Sequence, residues 1–338
     1  MDKTINVMLK GVAILMMLYL HLFNTLSVVQ ENCINYIYIG GLPLSYIFAR
    51  CAHPVSMYLL LSGCGFYKQY EIKRNNRNIG SKIIRLYIHY WIALFIFVSI
   101  GSFVRPDIYP GNYINVIENV TGWHTATYNY TMWFLFPYII LIVCSGLIFR
   151  VVDKFPISIT VISIILYVLT YGIFWKYGEF LQKNMWLYNP LLATHFLCPF
   201  ISGVLFVKYD VINKVKVAFK DRRLLLVGFI GALIAFRCCT DLDAIHIIYT
   251  IILVLLLSAV RFPRWIGCVL EKLGKHSTSM WFVHAYFYTY LFHDFIYGFK
   301  YPLLIFIILV LVSYCTSVVI DYLKTCVQRY LLGASSNA

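Results

Sequence analysis

Ile5-Asn6-Val7-Met8-Leu9-Lys10-Gly11-Val12-Ala13-Ile14-Leu15-Met16-Met17-Leu18-Tyr19-Leu20-His21-Leu22-Phe23 is an apolar run long enough to cross a bilayer, broken by two ionisable groups. Ten residues separate Lys10 from His21. Eleven steps along an α-helix make about three turns, so both side chains share one face, roughly 16 Å apart along the axis. One cation near a membrane face and one imidazole nearer the middle are expensive in lipid, and such groups are functional candidates by default.

The rest of the chain repeats the apolar character. Of its 338 residues 61% are hydrophobic and 12% charged, about half the charge of a soluble domain. The reading is an all-α, polytopic membrane bundle of about ten spans, near 5–23, 43–66, 82–104, 131–149, 156–175, 190–207, 223–239, 243–260, 277–293 and 301–323. It forms one domain over 1–332, followed by a flexible tail at 333–338. The basic segments 68–85, 150–154, 208–223 and 261–275 together carry +13, against −2 for the alternate loops. The positive-inside rule therefore expects both termini and the basic loops in the cytoplasm. That topology also accounts for most of the net charge of +14, so nucleic acid is not expected as a partner. No ligand spacing among the ten cysteines calls for a metal, and they read as small buried hydrophobes.

His21 reads either as a histidine bonded to a neighbouring helix or as a general base. Burial disfavours the charged imidazole, leaving a neutral nitrogen able to take a proton from a hydroxyl. Lys10 reads either as a cation snorkelling to the membrane face or as a group that holds an anionic donor or developing negative charge. In the second span Pro54 is expected to kink or interrupt the helix, and Ser62-Gly63-x-Gly65 to permit close helix approach. Arg50 and His53, three residues apart, are expected on adjacent faces of one turn, contacting a polar acceptor or pairing with a loop. Lys82 and Arg85 stand at i, i+3 at the start of the third span. Topology explains cations there, and a phosphate-bearing donor would also suit them. Ser277 is expected to cap the ninth span after Gly274, with His284 as a second intramembrane imidazole lining a polar cavity. The loop 105–130, with Trp123, His124, Tyr128 and Tyr130, has the composition of a surface that lies against sugars or membrane headgroups.

Together these segments resemble the bacterial membrane acyltransferase family 3, whose members O-acylate cell-envelope and secreted glycans. Lys10-x₁₀-His21 matches that family's basic-residue-x₁₀-His motif. Tyr58-Leu59-Leu60-Leu61-Ser62-Gly63 is similar to its Phe-Phe-x-x-Ser-Gly motif, with Tyr58 and Leu59 in place of the paired Phe. Lys82-Ile83-Ile84-Arg85 resembles its basic pair, with Lys where Arg is frequent. Met132-Trp133-Phe134-Leu135 and Leu273-Gly274-Lys275-x-Ser277 through His284 complete the likeness. The resemblance implies acyl-CoA, usually acetyl-CoA, as donor and a sugar hydroxyl as acceptor. It implies that His21 is essential and that Lys10 and Arg85 belong to the donor side.

The expectation is thus a membrane O-acyltransferase of the bacterial cytoplasmic membrane that uses cytoplasmic acyl-CoA. His21 and Lys10 would be catalytic, Arg85, Lys82 and Lys10 would hold the donor, and Arg50, His53, Trp133 and His284 would face the glycan. A transporter or exporter of a glycan or lipid-linked sugar is the alternative. Proton-coupled carriers commonly place carboxylates inside spans, whereas Asp321 reads here as lying at a span's end. A non-enzymatic scaffold, in which His21 and Lys10 are dispensable, comes last.

Overall fold

The computed structural model describes residues 2–32, 34–73, 78–240 and 243–332. Arg74, Arg77, Asp241 and the tail at 333–338 lie outside the described residues. The backbone is an all-α bundle with one short antiparallel hairpin, β1 (Tyr38–Ile39) and β2 (Leu42–Pro43). The helices are α1 (Lys3–Phe23), α2 (Leu26–Glu31), α3 (Leu44–Ala49), α4 (Pro54–Lys73), α5 (Ile79–Val104), α6 (Tyr113–Thr121), α7 (Ala126–Asn129), α8 (Leu135–Lys154) and α9 (Pro156–Lys183). They continue as α10 (Met185–His195), α11 (Leu197–Lys208), α12 (Val211–Ala218), α13 (Arg223–Cys239), α14 (His246–Ala259), α15 (Arg264–Ala285), α16 (His293–Tyr297) and α17 (Pro302–Leu332). Asp2 starts α1 by accepting from the Thr4 amide at 3.4 Å, and Asn78 starts α5 by accepting from Ser81 at 3.3 Å. Pro54, Pro156 and Pro302 each open a helix, where a missing N–H costs nothing.

Among the described residues six stretches are long and apolar enough to cross a membrane: Lys3–Phe23, Ile79–Val104, Ala126–Lys154, Pro156–Lys183, Met185–Lys208 and Pro302–Tyr330. The four other spans read from the sequence are helical but fall short of that standard. The span at 43–66 breaks into α3 and α4 between Arg50 and His53, so these two residues do not share a helical turn. Pro54 begins the second helix instead of kinking one. The segments at 223–239 and 243–260 are short, at 17 and 14 helical residues. The span expected at 277–293 is displaced: α15 starts at Arg264, passes through Gly274 and Ser277 unbroken, and gives way to a π-helical turn at Tyr286–Tyr290. Ser277 is therefore no cap, and its hydroxyl donates to the Gly274 carbonyl at 2.9 Å.

The basic segments gather at one end of the bundle. Ile5 of α1 shares a cavity of about 290 Å³ with Lys216, Lys220, Arg223 and Arg261. At the same end Lys208 donates to the Val152 and Asp153 carbonyls at 3.1 and 3.2 Å, and Tyr67 to the Asp153 carboxylate at 2.6 Å.

Two reciprocal glycine contacts set the spacing at the centre. A Cβ at Gly11 would stand 2.1 Å from the Leu270 carbonyl oxygen, and one at Gly274 would stand 1.8 Å from that of Val7. These contacts hold α1 against α15. A Cβ at Gly63 would stand 2.1 Å from the Phe200 carbonyl oxygen and one at Gly203 1.9 Å from that of Leu60, which does the same for α4 and α11. Small residues are what allow membrane helices to approach this closely. Gly65, read with Gly63 as part of the same contact surface, has nothing within 4 Å of its would-be Cβ. Gly274→Val is expected to lower stability by roughly 1–3 kcal/mol through overpacking, while Gly65→Val is neutral. Unfolding in mixed micelles distinguishes them, and equal midpoints would refute the packing assignment.

Candidate active site

Because α1 is pressed onto α15, the His21 ring lies 5.2 Å from the His284 ring, centroid to centroid. Tyr130 meets His21 edge-on at 5.8 Å and Tyr288 stacks on it at 6.1 Å. His21 thus faces a polar, aromatic interior and not hydrocarbon. His284 is fully buried, and its Nδ1–H donates to the Trp281 carbonyl at 2.8 Å. That bond fixes the tautomer: Nε2 carries the lone pair, and it has no hydrogen-bond partner. A base oriented by a second group is the usual arrangement of an activated nucleophile site. Here an N–H of His21 directed at His284 Nε2 would leave the other His21 nitrogen free to accept a proton.

The segment before α8 is clamped over this pair. Asn129 Nδ2 donates to the Phe282 carbonyl at 3.0 Å, Trp281 Nε1 to the Thr131 carbonyl at 3.1 Å, and the Tyr130 amide to the Tyr290 hydroxyl at 2.9 Å. The Tyr130 and Tyr288 hydroxyls are hydrogen-bonded to each other. The segment itself is a 3₁₀ turn, Tyr130–Phe134, that leads into α8.

Lys10 lines a separate cavity of about 100 Å³ with Tyr58, Ser62, Tyr138, Ser277 and Trp281. No carboxylate lines it, and the ammonium makes no ion pair among the described residues. Ser62 and Tyr138 bond each other across it at 3.1 Å, and Tyr58 donates to the Lys10 carbonyl at 3.3 Å. Met17 and Trp281 close its far wall; they lie one helical turn before His21 and His284 respectively. The motifs at Lys10, Tyr58–Gly63 and Gly274–Ser277 therefore converge on one cavity, with the histidine pair one turn beyond it.

The remaining sequence candidates separate. Leu86 lines the Lys10 cavity, but its neighbour Arg85 is exposed. Lys82 donates to Gln69 and lies over the Phe66 ring at 4.5 Å. Arg50 covers the Tyr46 ring at 5.0 Å. His53 accepts from Arg237 Nε at 3.2 Å. Trp133 lines two cavities, one of about 450 Å³ with Trp123, His124 and Tyr130, and one of about 390 Å³ with His53. The aromatic loop residues thus form a cavity wall that reaches the edge of His21 through Tyr130.

Sequence reading missed a third polar group. Asp321 stands near the end of the span read at 301–323, on a helix, α17, that runs on to Leu332. It accepts from His276 Nδ1 at 2.6 Å, Ser279 Oγ at 2.9 Å and Lys324 Nζ at 2.7 Å, with His89 Nε2 at 3.4 Å. This network ties α5, α15 and α17 together behind the cavity wall. The i, i+3 pairs His276/Ser279 and Asp321/Lys324 were the available signal.

Comparison with known proteins decides the class. A family model described as an acyltransferase domain, that of acyltransferase family 3, matches residues 7–322. The chain belongs to acyltransferase family 3. No curated protein and no solved structure matches it. The match covers every element that builds the histidine pair and the Lys10 cavity, and this family 3 protein is accordingly a membrane acyltransferase. If His284 orients His21, His284→Phe should abolish acyl transfer, whereas His284→Gln, which can still present an acceptor, should retain part of it. Equal rates in the two variants would remove His284 from the site.

Proposed function

We propose that this acyltransferase moves an acyl group, acetyl in the simplest case, from cytoplasmic acyl-CoA to a hydroxyl of a cell-envelope or secreted glycan in the bacterial cytoplasmic membrane. The observation that carries the reading is the His21 ring beside His284, whose buried Nε2 is unpartnered, one helical turn beyond the wall of the Lys10 cavity.

In the proposed reaction a sugar hydroxyl gives its proton to His21 as its oxygen attacks the thioester carbonyl. The carbon–sulfur bond breaks, and the departing thiolate takes up the proton to leave as the free thiol. General-base assistance of this kind contributes about 10²–10⁴ in rate. Positioning of the two substrates must supply much of the rest. Lys10, about three turns from His21 along α1, is suited to hold an anionic part of the donor, because no carboxylate among the described residues lines its cavity to cancel its field.

The Lys10 cavity is smaller than a typical ligand pocket of roughly 300 Å³ or more. It fits the thioester tip of a donor, and the nucleotide end would lie outside. Lys82 and Arg85 remain candidates for its phosphates. Lys216, Lys220, Arg223 and Arg261, which the sequence reading did not single out for this role, form a second basic surface at the same end.

Two experiments test the reading. His21→Ala in folded protein should lower acetyl transfer by about 10²–10⁴, and glycan from cells carrying it should lack the ester. Intact esterification by that variant would refute the base assignment. Arg85→Ala should raise the KM for acyl-CoA while leaving kcat nearly unchanged, and an unaltered KM would shift the phosphates to the other basic surface.

A further inference from the structure

The cavity of about 390 Å³ at the end away from the basic segments holds polar chemistry that the proposed transfer step does not use. His53, His195, His246 and Asp243 line it, together with Trp133 and Phe174. Its volume is that of a small-molecule site.

The hydrogen bonds show what the wall offers. Arg237 is buried behind it, with three of its five N–H groups engaged. Its Nε donates to His53 Nε2 at 3.2 Å, Nη1 to the Thr240 carbonyl at 2.5 Å and Nη2 to Asp243 Oδ1 at 2.9 Å. A cation donating into His53 Nε2 also removes that nitrogen as a metal ligand. Thr170 donates its hydroxyl hydrogen to the Leu166 carbonyl at 2.8 Å, so it must accept from His195 Nδ1 at 2.9 Å. His246 Nδ1 donates to the Asp243 carbonyl at 2.6 Å. Both imidazoles therefore keep a lone pair on Nε2. Among the described residues no lysine or arginine lines the cavity itself. Acceptors without a facing cation repel the lone pairs of an anion and match the hydrogens of hydroxyl groups. Aromatic faces beside them cover the C–H faces of a ring.

We propose that this cavity binds a neutral hydroxylated ring, a sugar residue, whose hydroxyls donate to Nε2 of His195 and His246. The proposal rests on the reading of a glycan as acceptor and deepens it. Leu20, next to His21, and Val55, shared with the Lys10 cavity, place the subsite alongside the reaction centre. A sugar unit neighbouring the acylated one would lie here, which makes the cavity a determinant of acceptor choice.

The test uses the full chain in lipid nanodiscs. Methyl glucoside, methyl galactoside and methyl mannoside are the probes, and saturation-transfer NMR reads binding without acyl-CoA. At least one glycoside should bind the unmodified protein, and His195→Leu or His246→Leu should weaken it roughly tenfold, as expected for one lost hydrogen bond. His195→Gln, which keeps an acceptor, should retain binding, and inorganic phosphate should not compete. Absence of binding, equal binding by the Leu variants, or displacement by phosphate would overturn the proposal.

Acetyl transfer from labelled acetyl-CoA to the same glycosides separates the two readings. Histidine-dependent binding without any transfer would sink the glycan-acylation reading and leave the subsite standing. Transfer whose sugar KM ignores both Leu variants would do the reverse. If a Leu variant does not elute as a single folded species, a diazirine glycoside on the unmodified protein decides. Label on peptides containing His195, His246 or Trp133 supports the subsite, and label confined elsewhere overturns it.

Discussion

The reciprocal seating of Gly11 and Gly274 against the Leu270 and Val7 carbonyls is the constraint on which the site depends. It fixes the distance between α1 and α15, and with it everything the two helices present to each other. Lys10 can share a cavity with Ser277 and Trp281, and His21 can lie beside His284, only because no side chain separates the two backbones. In lipid, where apolar packing between helices gains little over packing against acyl chains, such close backbone contact is a main source of association. The same geometry recurs between α4 and α11 and brings the Tyr58–Gly63 segment to the cavity from the other side.

Charge is distributed around that contact in a way that preserves reactivity. The carboxylates of the bundle are tied elsewhere: Asp321 to His276, Ser279 and Lys324, Asp243 to Arg237, and Asp153 to Tyr67 and Lys208. Among the described residues none lines the Lys10 cavity. An ammonium in a confined space without a counter-ion exerts a field that water or a carboxylate would otherwise quench. The histidines follow a parallel rule. Nδ1 of His284, His195 and His246 is each anchored by a carbonyl or hydroxyl, so the opposite nitrogen of each is left as an acceptor.

Cavity walls approach His21 from two sides, at Met17 and at Tyr130, which leaves room for a donor and an acceptor around the histidine pair. One cavity is small and carries a cation toward the basic end. The others are larger and aromatic, with Tyr130 and Trp133 in their walls. The clamp formed by Asn129, Tyr130 and Trp281 holds these walls against the end of α15, where the helix loosens into a π-helical turn. Such turns occur frequently at functional positions.

Local properties of the chain were sufficient to reveal its membrane character, its helical class, and the shared face of Lys10 and His21. Hydropathy and a fixed rise per residue act within a single helix and need no partner. The glycine at 63 was also legible as a contact, since small residues in apolar helices have few other uses. Packing between distant segments decided the rest. That His284 would meet His21, that His53 would be bound to Arg237 while Arg50 lay over Tyr46, and that Asp321 would gather two histidines from α5 and α15 depend on crossings among helices far apart in sequence. A one-dimensional pattern specifies which face of a helix is polar. Only the tertiary structure specifies which other helix that face meets, because the meeting is fixed by steric fit between backbones and not by the composition of either one.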